Sequence, residues 1–363
     1  MKTILCIVDS LNAGGAETFL MKISRCTPSE LCRFDFIVSQ DDGVYTREVL
    51  DRGGKIHVIP LRRKNLKGAF MGIKNIVREN QYDRVLKLGD SPLLAVDLIA
   101  AKLGGAKWLG FRSCNALTGR SVTQKMVDAV MRPVLNRVAN VKLAPSLLAA
   151  EYTFGKNHAH KDVHVIHNGV DLGVFHFDSD GRDRVRQEFS VADKFVVGHI
   201  GRFNKQKNHR FLLEVFSAIR AKRSDAVLML VGIGELEETI HTWVKEMGLE
   251  PYVIFTGSRF DIPQVLSAMD VFVFPSFHEG MPNTVIEAQS TGLPCVIADT
   301  ITAEADITGL VTYLSLSMSP EEWGTVALTK AGEVRKDTNS DFLNSGYDIQ
   351  SVAVKLLSFF EML

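Results

Sequence analysis

The stretch FVVGHIGRFNKQKNHRFLLEVFSAIRAKRSDAVLMLVG, from Phe195 to Gly232, holds two apolar runs separated by a polar loop and a helical segment. Near-continuous apolar runs suit strands covered on both faces, as in a parallel sheet. Parallel strands need a crossover, so the stretch reads as one βαβ unit whose helix begins near Asn208. The same rhythm continues outward. Downstream, YVIFTG, VFVFPS and PCVIAD read as strands. Upstream, TILCIVD, FDFIVS, KIHVIP, DRVLKL, KWLGF and VKLAP alternate with helical stretches such as AETFLMKIS and SVTQKMVDAVMRPVLNRVA. The expected fold class is α/β, with two doubly wound Rossmann-like series facing across a cleft.

The rhythm pauses at HNGVDLGVFHFDSDGRDRVRQEF, where turn residues and charges replace periodicity. This stretch reads as the interdomain connection. The expected domains are residues 1–168, residues 169–346 and a C-terminal helix, 347–363, that packs back on the first domain. A length of 363 residues suits two domains, and 46% apolar content can fill two cores. A formal net charge of zero speaks against wholesale nucleic-acid binding. The five cysteines are scattered, with no Cys-x-x-Cys, which suits reduced core thiols. The N-terminus does not read as a signal peptide, and no run reaches the roughly 18 apolar residues of a bilayer span. The expectation is a cytoplasmic protein able to rest on the inner face of a membrane.

Doubly wound sheets bind ligands beyond the carboxyl ends of their strands, so the residues following each strand are the site candidates. After FVVGHIG come Arg202 and Lys207, a guanidinium fork and a point charge that could converge on a diphosphate; a solvated basic loop is the plainer alternative. After AVLMLVG, Gly232 and Gly234 begin a Gly-x-Gly, but Glu237 stands where a third glycine would complete a dinucleotide fingerprint. After TILCIVDS, Gly14 and Gly15 open the first helix and leave room for a ligand. After VFVFPS comes Glu279, then Gly280, Met281, Pro282 and Asn283 at a helix start, with Glu287 one turn further in. Amides at a helix start suit phosphate, and a carboxylate suits a vicinal diol such as a ribose.

These motifs form a series: NAGGAE, HNGVDLGVF, GRFNKQKN, EGMPNTVIEA and STGLPCV. In this order they resemble the retaining GT-B glycosyltransferases of family four (glycosyl transferases group 1), and the resemblance covers nearly the whole chain. It implies transfer of a sugar from a nucleoside diphosphate donor, of UDP or GDP type, to a hydroxyl acceptor that is a glycan or lipid-linked. Capsule, exopolysaccharide or lipid-linked glycan synthesis is the implied setting. The resemblance gives Arg202, Lys207 and Glu279 the catalytic roles. It gives donor binding to Gly15, Gly280, Met281, Pro282, Asn283 and Glu287, with Ser258 and Phe260 at the base. Many members carry a His after the fifth strand; here KWLGF runs into RSCNA, which puts Arg112 and Asn115 on the acceptor or sugar side. No cofactor or metal is expected. A nucleotide-sugar epimerase and a non-catalytic nucleotide-sugar-binding protein are the alternatives.

Two other constellations are weaker. Asp178, Ser179 and Asp180 form a DxD, read as solvated charge because it lies in the connection. His158, His160, His164 and His167 read as surface or hinge residues. Arg62, Arg63, Lys64 and Lys67, and the helix carrying Lys125, Arg132 and Arg137, are basic patches that could meet anionic lipid.

Overall fold

The computed structural model of the chain describes residues 2–12, 14–40, 42–114 and 121–362. The chain divides into two units: Met1–Gly169 together with Gly346–Leu363, and Val170–Ser345. Unit 1 carries β1 (Lys2–Ile7), β2 (Cys32–Val38), β3 (Ile56–Val58), β4 (Arg84–Gly89), β5 (Trp108–Ser113), β6 (Val141–Ala144) and β7 (His164–Val165). Unit 2 carries β8 (Phe195–Ile200), β9 (Ala226–Val231), β10 (Val253–Gly257), β11 (Val271–Phe274), β12 (Cys295–Ala298) and β13 (Val311–Leu314).

Among the described residues the sheets run β3-β2-β1-β4-β5-β6-β7 and β10-β9-β8-β11-β12-β13. The strand pairs are parallel in both. Each unit starts in the middle of its sheet, winds to one edge, then returns to continue on the other side. The chain order therefore reverses between β1 and β4 in unit 1, and between β8 and β11 in unit 2. Loops leaving two such neighbours diverge to opposite faces, which opens a crevice at their carboxyl ends.

Burial follows the apolar runs. Every residue of β8 and β9 is buried. The helix His209–Lys222 covers them with Leu212, Leu213, Val215, Phe216 and Ile219. In unit 1 the helix Gly15–Cys26 presents Phe19, Leu20, Met21 and Ile23 to a core shared with Ile349, Val352, Leu356, Leu357 and Phe360. The last five belong to the C-terminal segment, whose helix is Ile349–Ser358. Phe360 presses so close to β5 that a side chain at Gly110 would meet its ring at 2.5 Å.

The structure departs from the sequence reading at several elements. β7 and β13 were not expected; β7 has two residues, and β13 is half-buried along most of its length. The presumed connection contains the helix Ser179–Glu188, which belongs to unit 2. Only Gly181, Val185 and Arg186 of that helix are buried, so it shows almost no apolar stripe. Asp178 is its N-cap and accepts a hydrogen bond from Gly181 N at 2.8 Å, so the first acid of the DxD is a capping residue. β5 extends through Arg112 to Ser113, where the reading had ended the strand at Phe111. No helix among the described residues is long and apolar enough to cross a membrane.

Candidate active site

The carboxyl ends of β8 and β11 hold the most closely knit group of candidates. Beyond β8 the chain makes a short 3-10 turn, Lys205–Lys207, started by Asn204, whose side chain accepts from Lys207 N at 3.2 Å. Asn208 then takes a left-handed conformation (φ 55°) and opens the helix His209–Lys222. Two hydrogen bonds join this loop to the one after β11. Gln206 Nε2 donates to His278 O at 2.8 Å, and Phe277 N donates to Gln206 O at 2.9 Å.

Lys207 Nζ donates to Glu279 Oε1 at 2.6 Å and stands 4.5 Å from the centre of the Phe274 ring. The two side chains are only 14% and 11% exposed, so this is a part-buried, charge-assisted contact and not a floppy surface pair. Arg202 differs. Its side chain is 72% exposed and lies 3.3 Å from Glu235 Oε2, itself well exposed. Such a pair holds little energy and leaves the guanidinium free to turn toward another anion.

Gly232 and Gly234 contribute by close approach. At Gly232 (φ 138°) a side chain would strike Gly201 O at 2.1 Å, and at Gly234 one would strike Phe203 O at 2.4 Å. Phe203 N donates to Ile233 O at 3.0 Å. The Gly-x-Gly therefore braces the loop that carries Arg202 and Lys207.

Pro282 is the N-cap of the helix Asn283–Ser290, one position earlier than its expected place in the first turn. Its carbonyl accepts from Val285 N and Ile286 N at 3.0 and 3.2 Å, and no side chain caps the helix. Gly280, Met281 and Asn283 are half-buried around this start, and Glu287 is half-buried in its second turn. Ser258 and Phe260 follow β10, and Phe260 is 98% exposed. β10 lies two strands from β8, about 10 Å by ordinary sheet spacing. That is a distance a nucleotide can bridge.

Beneath Lys207 lie two histidines that sequence reasoning passed over. His199, on β8, is fully buried, with Nδ1 2.9 Å from Val273 O. His209, 2% exposed, meets it edge to face with ring centres 5.0 Å apart. Burial, and then the Lys207 charge, push the His209 imidazole down to about 4. Burial, with His209 next, holds His199 well below the usual range. Both are neutral at physiological pH. The sequence signal was a histidine inside an otherwise apolar strand.

In unit 1 the switch point lies between Asp9, after β1, and Asp90, after β4. Gly14 is the N-cap and Gly15 the first residue of the helix Gly15–Cys26. A side chain built at Gly15 would meet nothing within 4 Å, so the protein itself does not demand glycine there. Glu17, also passed over, lies nearby, with its carboxyl raised chiefly by burial.

Arg112 does not match the expected sugar-side position. It is 1% exposed and turned inward, donating to Ile166 O at 3.1 Å and Asn168 Oδ1 at 2.7 Å, with its guanidinium 3.7 Å from the Phe19 ring centre. A residue inside a strand points to one face of its sheet, and here that is the core face. Asn115 lies outside the described residues.

Arg62 is likewise not a free surface cation. It pairs with Asp97 at 2.7 Å and Asp9 at 2.8 Å, while Arg63, Lys64 and Lys67 are exposed. The four histidines have separate partners: His158 meets Asp162, His160 meets Glu151, His164 stacks on Phe359 and His167 on Tyr347.

Two doubly wound parallel-sheet units in one chain, with charged loops at their strand ends, define the GT-B class of glycosyltransferase fold. HepE of Anabaena, solved with UDP, matches with a TM-score of 0.80 at 21% identity, covering 100% of both chains. In sequence, the Bacillus subtilis protein EpsF, a candidate glycosyltransferase, is 30% identical over 99% of this chain and 97% of its own length. The Escherichia coli UDP-Gal:alpha-D-GlcNAc-diphosphoundecaprenol alpha-1,3-galactosyltransferase is 38% identical over 78% of this chain and 76% of its own. The family described as glycosyl transferases group 1 matches residues 194–323, and this chain belongs to it.

Proposed function

We propose that this glycosyltransferase moves a sugar from a nucleoside diphosphate donor to a hydroxyl of a glycan or lipid-linked acceptor, with retention of anomeric configuration, as in family four. The observation that carries the reading is the Lys207–Glu279 contact over the switch point of the unit 2 sheet. The donor class is supported by the E. coli relative, named for UDP-galactose and a diphosphoundecaprenol-linked acceptor. HepE, more distant, was also solved with UDP-glucose. The setting that fits is exopolysaccharide or lipid-linked glycan assembly.

The hard step is departure of a diphosphate from an oxocarbenium-like carbon. The bond from the anomeric carbon to the phosphate oxygen breaks, and a bond to the acceptor oxygen forms on the same face. The acceptor proton passes to the departing phosphate oxygen. Lys207, Arg202 turned away from Glu235, and the start of the helix Asn283–Ser290 would stabilise the leaving charge. Glu279 holds the lysine in place and offers its second oxygen to a sugar hydroxyl. Glu287 would take the ribose diol, and Phe260 would offer an exposed face to the base.

In this reading two protein cations carry the charge that a metal carries in DxD transferases, and no divalent ion is needed. The test is transfer or slow donor hydrolysis in excess EDTA, after a thermal-shift panel of nucleotide sugars has identified the donor. Retention is read from the product anomer by NMR. Failure of every nucleotide sugar to stabilise or react would refute the donor class. Activity that vanishes in EDTA and returns with magnesium or manganese would refute the charge assignment alone.

A further inference from the structure

At the switch point of the unit 2 sheet the two central strands separate. β8 and β11 are in register only at Val197 with Val271 and at Gly198 with Phe272. Beyond those pairs each strand keeps to its outer neighbour: Ile200 pairs with Val231 of β9, and Phe274 with Ile297 of β12. The loops bearing Lys207 and Glu279 leave from these two parted ends. No main-chain ladder sets their spacing at that level, so whatever fills the gap must.

His199 fills it. It is the first residue of β8 beyond the shared register, and it is fully buried. Its Nδ1 lies 2.9 Å from Val273 O, on the opposite strand. A carbonyl can only accept, so the neutral ring carries its proton on Nδ1 and presents a bare Nε2. That second nitrogen has no hydrogen-bond partner. A ring kept for packing alone would be better apolar, because a buried unsatisfied nitrogen is destabilising. The imidazole also stacks on Phe274, with ring centres 5.3 Å apart and planes 23° from parallel. Phe274 is the ring that lies 4.5 Å from Lys207 Nζ. A side chain built at Gly201 would stand 3.4 Å from His199 Nε2 and 3.0 Å from Lys207 Cε, so the imidazole and the lysine stem border one small space. One side chain therefore bridges the parted strands and supports the lysine that the site depends on.

We propose that His199 is a positioning residue for the transfer reaction. By holding Val273 O it fixes the gap between β8 and β11, and through Phe274 it fixes the seat of the Lys207 ammonium beside Glu279. The inference rests on the reading of Lys207 as the cation that meets the leaving group.

Two variants separate this role from plain core packing, because they rank oppositely for fold and for function. His199→Phe keeps a flat ring against Phe272 and Phe274 but has no donor. His199→Asn loses the ring yet keeps an N–H as many bonds from the backbone as Nδ1. The Phe variant should melt at the higher temperature, since it puts an apolar ring in apolar surroundings. The Asn variant should be the more active. With the nucleotide sugar identified by the thermal-shift panel, kcat for transfer or donor hydrolysis should fall about 10- to 100-fold in His199→Phe, as for a misplaced group. KM for the donor should stay nearly unchanged. His199→Asn should recover most of the loss. Ligand-free crystal structures should show the Lys207–Glu279 contact broken in the Phe variant and kept in the Asn variant. Activity that follows melting temperature across the variants would overturn the proposal, as would an intact contact in His199→Phe. Wild-type protein that acts on no nucleotide sugar would refute the functional reading, and the crystal structures would then decide alone whether His199 sets the contact.

Discussion

Lys207 and Glu279 stand 72 residues apart in sequence and 2.6 Å apart in space. Removing each should have opposite effects on a free nucleoside diphosphate. Lys207→Ala should cost about 2–4 kcal/mol of transition-state stabilisation, roughly 30- to 1,000-fold in rate, by analogy with lost oxyanion donors. Arg202→Ala should cost less, because the side chain is exposed and loosely held. Glu279→Ala releases the lysine from its carboxylate, so calorimetry should show free nucleotide bound at least as well and the sugar-bearing donor bound worse. Equal losses for both ligands would contradict the sugar-side role of Glu279. Glu287→Ala should weaken both ligands, by about 2–4 kcal/mol if two charge-assisted hydrogen bonds to a diol are lost. His209 predicts a pH effect of different origin. An unfolded histidine takes up its proton near 6.5, whereas buried His209 does so only at about 4. Between those values the unfolded chain binds more protons, so stability falls as pH drops, by roughly 3 kcal/mol across the window for this group. Urea titrations at neutral pH and near pH 4.5 should show a smaller drop in His209→Leu than in the wild type; identical drops would refute the assignment. The loops bearing Lys207 and Glu279 were legible in the sequence because each follows an apolar run. Their contact was not, because it depends on β8 and β11 being neighbours in space though two strands intervene in the chain. Arg112 was misplaced because one polar residue was enough to end a strand on paper, and nothing local showed that Phe19 and Asn168 would receive it.

Among elements, the helix Ser179–Glu188 shows how a charged segment can be structural. Asp178 caps it, Arg182 donates to Asp270 at 2.7 Å, and Arg186 reaches the Ala268 carbonyl at 2.9 Å. Asp178→Ala should therefore cost about 1 kcal/mol of unit 2 stability and leave activity in EDTA unchanged. A variant of unaltered melting temperature that had lost activity would return the DxD to a functional role. Such a helix is hard to read because it is held by arginine side chains reaching backbone carbonyls, which leave no apolar period. β13 was hidden for a related reason: an edge strand with one covered side needs no continuous apolar run. The long central strands, buried on both faces, were plain from composition alone.

For the whole molecule, the partition of the chain matters more than any one contact. Unit 2 is a single continuous segment with its own core. Unit 1 is not, because Ile349, Val352, Ala353, Leu356, Leu357, Phe360 and Met362 are buried in it from the far end of the sequence. Fully burying a large apolar side chain contributes about 1.5–3 kcal/mol, so their joint loss rivals the roughly 5–15 kcal/mol of a typical domain. A chain ending at Ser345 should lose the unit 1 transition in calorimetry and become protease-sensitive before residue 170, while unit 2 still melts cooperatively. Retention of both transitions would show the C-terminal helix to be dispensable. The same partition sets an order of events during synthesis. When the ribosome has made the seven strands of unit 1, the residues that complete their core are still unwritten. At about 5–20 residues per second they follow some 10 to 40 seconds later. Throughout that interval the first half of the nascent chain has an open apolar groove where the helix Ile349–Ser358 will lie, the kind of transiently exposed surface that makes a partly made chain prone to aggregate.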